Sequence, residues 1–156
     1  GIPLFAINIA LEREGEIVAG LTYNPISDEL FWAEKGKGAF INDKRLRVAA
    51  RRDLAQSVVC TGIPHIGGKD YGRFSQELTT IMPQVAGIRR TGSCAIDMAF
   101  VAAGRFDAYW ERGLNAWDLA AGLILVREAG GTVTDLNNGS DILGQGSVLA
   151  TNETLH

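Results

Sequence analysis

Residues 113–131, GLNAWDLAAGLILVREAGG, decide how this chain is read. Gly113 breaks whatever precedes it, Asn115 is a good N-cap, and Gly130-Gly131 is a good C-terminal stop, so the stretch predicts a helix. One acid, Asp118, stands at about the third helical position among apolar and small residues, well ahead of the Arg127-Glu128 pair at the helix end. A solvated helix carries several charges and a plain core helix carries none. Two explanations remain open at this point. The acid complements the positive end of the helix, an effect of ~0.3–1 kcal/mol. Alternatively it is a metal ligand held rigidly at the helix mouth, with Ala120, Ala121 and Gly122 keeping that mouth clear. A lone carboxylate does not hold Mg²⁺, which takes octahedral oxygen ligation shared among carboxylates, phosphate and water. Any further ligands must come from elsewhere in the chain.

Just before it, the strand RFDAYWERG ends in Glu111, seven residues ahead of Asp118. If strand end and helix start share one rim, both acids face one cleft at the carboxyl end of α/β strands, where sites usually form. The competing reading of Glu111 is a solvated loop acid paired with Arg112. Further upstream, RRTGSCAIDM reads as a strand running into a Gly92-Ser93 turn that opens a helix. Free N–H groups and a serine hydroxyl at such a turn can hold a phosphate or a sugar hydroxyl; they can equally be a cap and nothing more. Cys94 reads as a small buried hydrophobe with no nucleophilic role, and Asp97 as a residue on the polar face of its helix.

Moving outward, residues 4–35 predict an antiparallel meander with a hairpin at Glu14-Gly15-Glu16, a third strand in ELFWAEKGKG and a short hairpin turning at Asn42-Asp43. After the run AARRDLAQS the period changes. Strand SVVCTGI, helix GKDYGRFSQELTTIM, strand AGIRRTG, helix SCAIDMAFVAAG, strand RFDAYWERG, the 116–131 helix and strands TVTD and SVLATN alternate as an α/β layer. The division falls at residues 1–53 and 54–156. Asp107, Asp135 and Asp141 sit near strand ends or turns, where acids are common, and neither His65 nor His156 has a sequence partner for histidine chemistry.

The 156 residues are 46% hydrophobic and 21% charged, a folded-protein composition with room for a core. A net charge of -3 shows no electrostatic footprint for nucleic acid, and no apolar run is long enough to span a membrane. Cys60 and Cys94 lack metal-ligand spacing and read as reduced thiols in a cytoplasmic protein. Gly1 opens without a methionine and ATNETLH offers a cap with hardly any helix behind it, so an internal segment of a longer chain is expected.

Taken in order, GIPLFAINIAL, GKGAFIND, RRTGS, FDAYWERG and WDLAAGLILVREAGGTVTD resemble the inositol monophosphatase family across essentially the whole chain. The Trp-Asp-x-Ala-Ala-Gly…Glu-Ala-Gly-Gly signature is its most specific element. The resemblance implies a layered αβαβα sandwich, of which residues 1–53 would be the strands of a first domain and 54–156 a C-terminal α/β domain. It implies a homodimeric, Mg²⁺-dependent, lithium-sensitive phosphatase that hydrolyses small-molecule phosphate monoesters of inositol or related polyols. By the same resemblance Asp118 is a metal-binding and catalytic aspartate, and Glu111 hydrogen-bonds substrate ring hydroxyls. Gly92, Ser93 and Cys94, the last standing where alanine is usual, form the turn that contacts substrate. The remaining metal ligands of the family would lie upstream of Gly1. A non-catalytic ligand- or protein-binding module derived from the same fold is the alternative.

Overall fold

The expected hairpin forms because Glu14 and Gly15 both adopt positive φ, 55° and 80°, in a two-residue turn whose twist suits the flanking strands. In this computed structural model, which describes residues 2–65 and 70–156, the turn joins β1 (Ile7–Arg13) to β2 (Glu16–Asn24). The meander continues through β3 (Glu29–Glu34), β4 (Gly38–Ile41) and β5 (Lys44–Arg45), giving an antiparallel sheet in the order β1-β2-β3-β4-β5. Asn42, at φ 49°, turns β4 into β5 as its sequence suggests.

The second sheet contains β6 (Val58–Thr61), β7 (Gly87–Arg89), β8 (Ala108–Arg112), β9 (Gly131–Thr134) and β10 (Ser147–Asn152), in the order β7-β6-β8-β10-β9. Strands β7, β6 and β8 are parallel, because the helical crossovers α1 (Tyr71–Ile81) and α2 (Cys94–Ala102) return the chain to the same end of the sheet. Strand β10 runs antiparallel to β8 and β9. The first residues of the helix read from GKDYGRFSQELTTIM, 68 and 69, lie outside the described residues. Helix α4 (Ile142–Gln145) is absent from the sequence reading. It is a single turn, started by Asp141 accepting the Gly144 N–H and stopped by Gly146 in the left-handed region.

Helix α3 (Ala116–Glu128) is buried continuously from Leu119 to Val126. A helix that is apolar all round must be covered all round. The first sheet covers one side of α3, and α2 with the second sheet covers the rest. The outer face of the second sheet, with Val59, Ala108 and Trp110, packs on Ile81 and Val85. The result is a mixed α/β sandwich with two sheets and four helices among the described residues. None of those helices is long and apolar enough to cross a membrane.

The small residues after Asp118 serve packing, and the expectation that they clear the helix mouth is corrected. A Cβ on Gly20 of β2 would come within 2.8 Å of the Ala121 Cα, and one on Gly122 within 2.7 Å of the Met98 Cβ in α2. Ala121 and Gly122 thus bring α3 close to a strand and a helix at once. The Glu-Ala-Gly-Gly end has equally local work. Gly130, at φ 86°, terminates α3, and Gly131 lies against the Thr151 carbonyl, where a Cβ would be 2.7 Å from the oxygen. The Glu128 carboxylate accepts the N–H groups of Gly36 and Gly38, so the Gly-Lys-Gly turn is latched to the end of α3.

Candidate active site

The carboxyl ends of the three parallel strands open into one cavity of about 430 Å³. Gly62 follows β6, Arg90 and the Gly92-Ser93-Cys94 turn follow β7, and Glu111 is the last residue but one of β8. Asp118 enters from the first turn of α3, and Asn8 of β1 closes the side toward the first sheet. All five residues singled out in the sequence, Gly92, Ser93, Cys94, Glu111 and Asp118, line this single cavity.

Asp118 combines features of both readings of its role. Its Oδ2 accepts the Asn115 N–H at 3.0 Å, which satisfies a free donor at the helix start. No hydrogen bond among the described residues engages Oδ1, and the residue is only partly buried on the cavity wall. Asn8 supports that wall from the far sheet. Its Nδ2 donates to the carbonyl oxygens of Trp117 at 2.7 Å and Asp118 at 3.3 Å, while its Oδ1 accepts the Thr22 hydroxyl.

Glu111 shares one face of β8 with Tyr109, two residues earlier, and the Tyr109 hydroxyl donates to Glu111 Oε2. Burial raises the Glu111 pKa; the Tyr109 bond and the Arg90 charge oppose that rise, and Asp118 adds to it. Tyr109 is completely buried, which pushes its phenol pKa up as well. The reading of Glu111 as a loop acid paired with Arg112 is set aside, since Arg112 pairs instead with Glu77 at 2.6 Å.

At the turn, Gly92 adopts φ 90°, a conformation that favours glycine. Ser93 occupies the N-cap position of α2 without its side chain making a capping bond, so capping does not account for the hydroxyl. The Ser93 N–H donates to Thr91 Oγ1 at 3.3 Å. The Cys94 thiol is buried beside the Asp118 carbonyl, 3.6 Å away, and burial raises its pKa, as expected of a packing residue.

Asp97 requires a correction. It does not lie on a polar face: only 1% of it is exposed, and its Oδ1 accepts the Thr91 hydroxyl at 2.6 Å and the Cys60 thiol at 3.2 Å. Burial lifts its pKa to about 6, with the two hydrogen bonds opposing the rise. The signal was available in the sequence, since a single acid in the apolar helix CAIDMAFVA has the character that marked Asp118. Asn8 and Arg90 carried no comparable signal. Neither His65 nor His156 lines the cavity.

Among the described residues no three Asp, Glu, His or Cys side chains come together to hold a metal ion. The donor chemistry at the cavity nonetheless suits a hard cation, with Asp118 offering carboxylate oxygen as one ligand of several.

A sequence model of the inositol monophosphatase family matches residues 1–156. The chain is 57% identical over 155 residues to an inositol-1-monophosphatase of Mesorhizobium japonicum, covering 99% of this chain and 58% of that protein. It is 45% identical over 150 residues to Nus factor SuhB of Pasteurella multocida, covering 96% and 56% respectively. The crystal structure of extragenic suppressor protein suhB from Bartonella henselae superposes with a TM-score of 0.96 at 54% identity, covering 99% of this chain and 59% of that one. The chain thus spans a little under three fifths of the length of these relatives. With a match over its whole length and this agreement in fold, the chain belongs to the inositol monophosphatase family.

Proposed function

We propose that this protein is a Mg²⁺-dependent phosphatase acting on inositol monophosphate or a related small polyol or sugar phosphate monoester. The observation that carries the reading is the convergence of Asp118, Glu111 and the Gly92-Ser93-Cys94 turn on one cavity from three separate stretches of chain. The name inositol-1-monophosphatase, borne by relatives 55–57% identical, supports the same chemistry. Asp118 would hold one metal ion through carboxylate oxygen. Bound there, Mg²⁺ would supply charge to the phosphate and lower the pKa of a nucleophilic water. Glu111, a hydrogen-bond acceptor held by Tyr109, faces the polyol hydroxyls, and the Gly92-Ser93 turn positions the same portion of substrate. No side-chain nucleophile is required, in keeping with the buried, high-pKa Cys94 thiol.

The test is phosphate release from inositol monophosphate by the complete gene product during Mg²⁺ titration, in wild type and Asp118→Asn. Asparagine keeps an oxygen for the Asn115 N–H but loses the charge that binds the cation. A fall in kcat/KM of more than about 100-fold is expected, with Tm moved by only a few degrees in metal-free buffer. The relatives named Nus factor SuhB motivate a second reading, a module that binds a protein partner without catalysis. Absence of metal-dependent phosphate release from inositol, sugar and nucleotide phosphates alike would favour that reading.

A further inference from the structure

Glu111 does not stand free in the cavity; its carboxylate rests in a space that exists because residue 62 has no side chain. A Cβ built on Gly62 would lie 1.8 Å from Glu111 Cδ, 1.8 Å from Oε1 and 2.2 Å from Oε2. No atom of another residue comes as near to that position, and Gly62 is itself buried at the end of β6. On the other side the Tyr109 hydroxyl donates to Oε2. The head group is therefore held between the bare Cα of one strand end and a fully buried phenol on its own strand. The backbone of Gly62 is not in the left-handed region, so conformational freedom does not explain the glycine.

We propose that Gly62 is a specificity-determining position and Tyr109 a positioning residue: together they fix the Glu111 carboxylate where it meets substrate hydroxyls. The proposal rests on the phosphatase reading above. Its physical content is steric. Any side chain at residue 62 evicts the carboxylate, and eviction is easy because what must move is the free end of a flexible side chain. The three atoms nearest to that position all belong to the Glu111 head group. Tyr109 contributes separately, as the hydrogen bond that selects one rotamer of Glu111 within the seat.

The experiment compares kcat/KM for inositol monophosphate and for a simple aryl phosphate, at saturating Mg²⁺, in wild type, Gly62→Ala, Glu111→Ala and the double variant of the complete gene product. Gly62→Ala is expected to lower the preference for the polyol substrate about 10- to 100-fold, the span controlled by one charge-assisted hydrogen bond. The double variant is expected to match Glu111→Ala alone, because an absent carboxylate cannot be displaced. Tyr109→Phe is expected to change the same ratio in the same direction by a smaller factor, with retained Tm. A crystal structure of Gly62→Ala is expected to have the Glu111 head group turned off residue 62. If Glu111→Ala leaves the substrate ratio unaltered, the phosphatase reading of Glu111 fails. If Glu111→Ala alters the ratio and Gly62→Ala does not, or if losses in the double variant multiply, the seat is refuted. A carboxylate still lying over Ala at position 62 refutes it whatever the kinetics.

Discussion

Asn8 in β1 donates through Nδ2 to the carbonyl oxygen of Trp117 at 2.7 Å, tying an edge strand to the first turn of α3 across 109 residues of sequence. The amide is oriented by the Thr22 hydroxyl, which donates to its Oδ1 at 2.7 Å. The turn that carries Asp118 is thereby fastened to the first sheet. Asn8→Ala removes these bonds and the one to the Asp118 carbonyl, and leaves the buried Thr22 hydroxyl without that acceptor. Urea unfolding is expected to give a loss of about 1–2 kcal/mol, and the phosphatase activity proposed above is expected to fall further than the stability loss explains. Activity at the wild-type level in a destabilised variant would confine the bond to folding.

The latch between Glu128 and the Gly-Lys-Gly turn supplies a second test. Both carboxylate oxygens accept backbone donors, from Gly36 and Gly38, at 2.8 Å each. Glu128→Ala leaves two donors to water and is expected to cost about 1–2 kcal/mol, since the site is partly exposed. Glu128→Gln retains one acceptor and is expected to lose about half as much, read as the shift in urea midpoint at constant m. Equal losses in the two variants would mean that the charge, not the pair of bonds, matters.

Asp97 predicts a pH dependence of stability. Its folded pKa of about 6 lies above the ordinary 3.8, because burial disfavours the charge despite the bonds from Thr91 and Cys60 and the nearby Arg90; Glu111 adds to the rise. For an acid with a raised folded pKa the native state binds more protons between the two values. Its stabilising contribution is therefore complete below pH ~4 and is lost as pH rises through about 6. Asp97→Asn keeps an acceptor for Thr91 and Cys60 without titrating. The stability of wild type relative to this variant is expected to decline from pH 4 to pH 7 by on the order of 1–3 kcal/mol. A pH-independent difference between them would place the Asp97 pKa near its ordinary value.

Close packing of β2 on α3 gives the fourth. A methyl at Gly20 would meet the Ala121 Cα at 2.8 Å and the Ile124 Cγ2 at the same distance. The first neighbour is backbone and cannot rotate away. Gly20→Ala is expected to destabilise by about 1–3 kcal/mol through overpacking, with a lower Tm and unchanged oligomeric state. By contrast Gly15→Ala, which meets no atom within 4 Å, acts only through its φ of 80° and is expected to cost less.

What the sequence determined by itself was local. The Glu14-Gly15 hairpin, the turn at Asn42, the start of α3 at Asn115 and its end at Gly130 each follow from a few adjacent residues, whose φ preferences and capping groups act over one or two turns of chain. The signature around Asp118 and the Glu111 and Gly92-Ser93 positions were legible for the same reason, as residue types at strand ends and helix starts. Tertiary structure decided everything that depends on where the chain returns. It buried Asp97 under Thr91 and Cys60, turned Ala121 and Gly122 from cavity edge into packing surface, and brought Asn8 to the wall of α3. It also placed a bare Cα, that of Gly62, beneath the Glu111 carboxylate. Burial, close approach and pKa shifts arise from atoms distant in sequence, so they came into being only when the two sheets closed on α3.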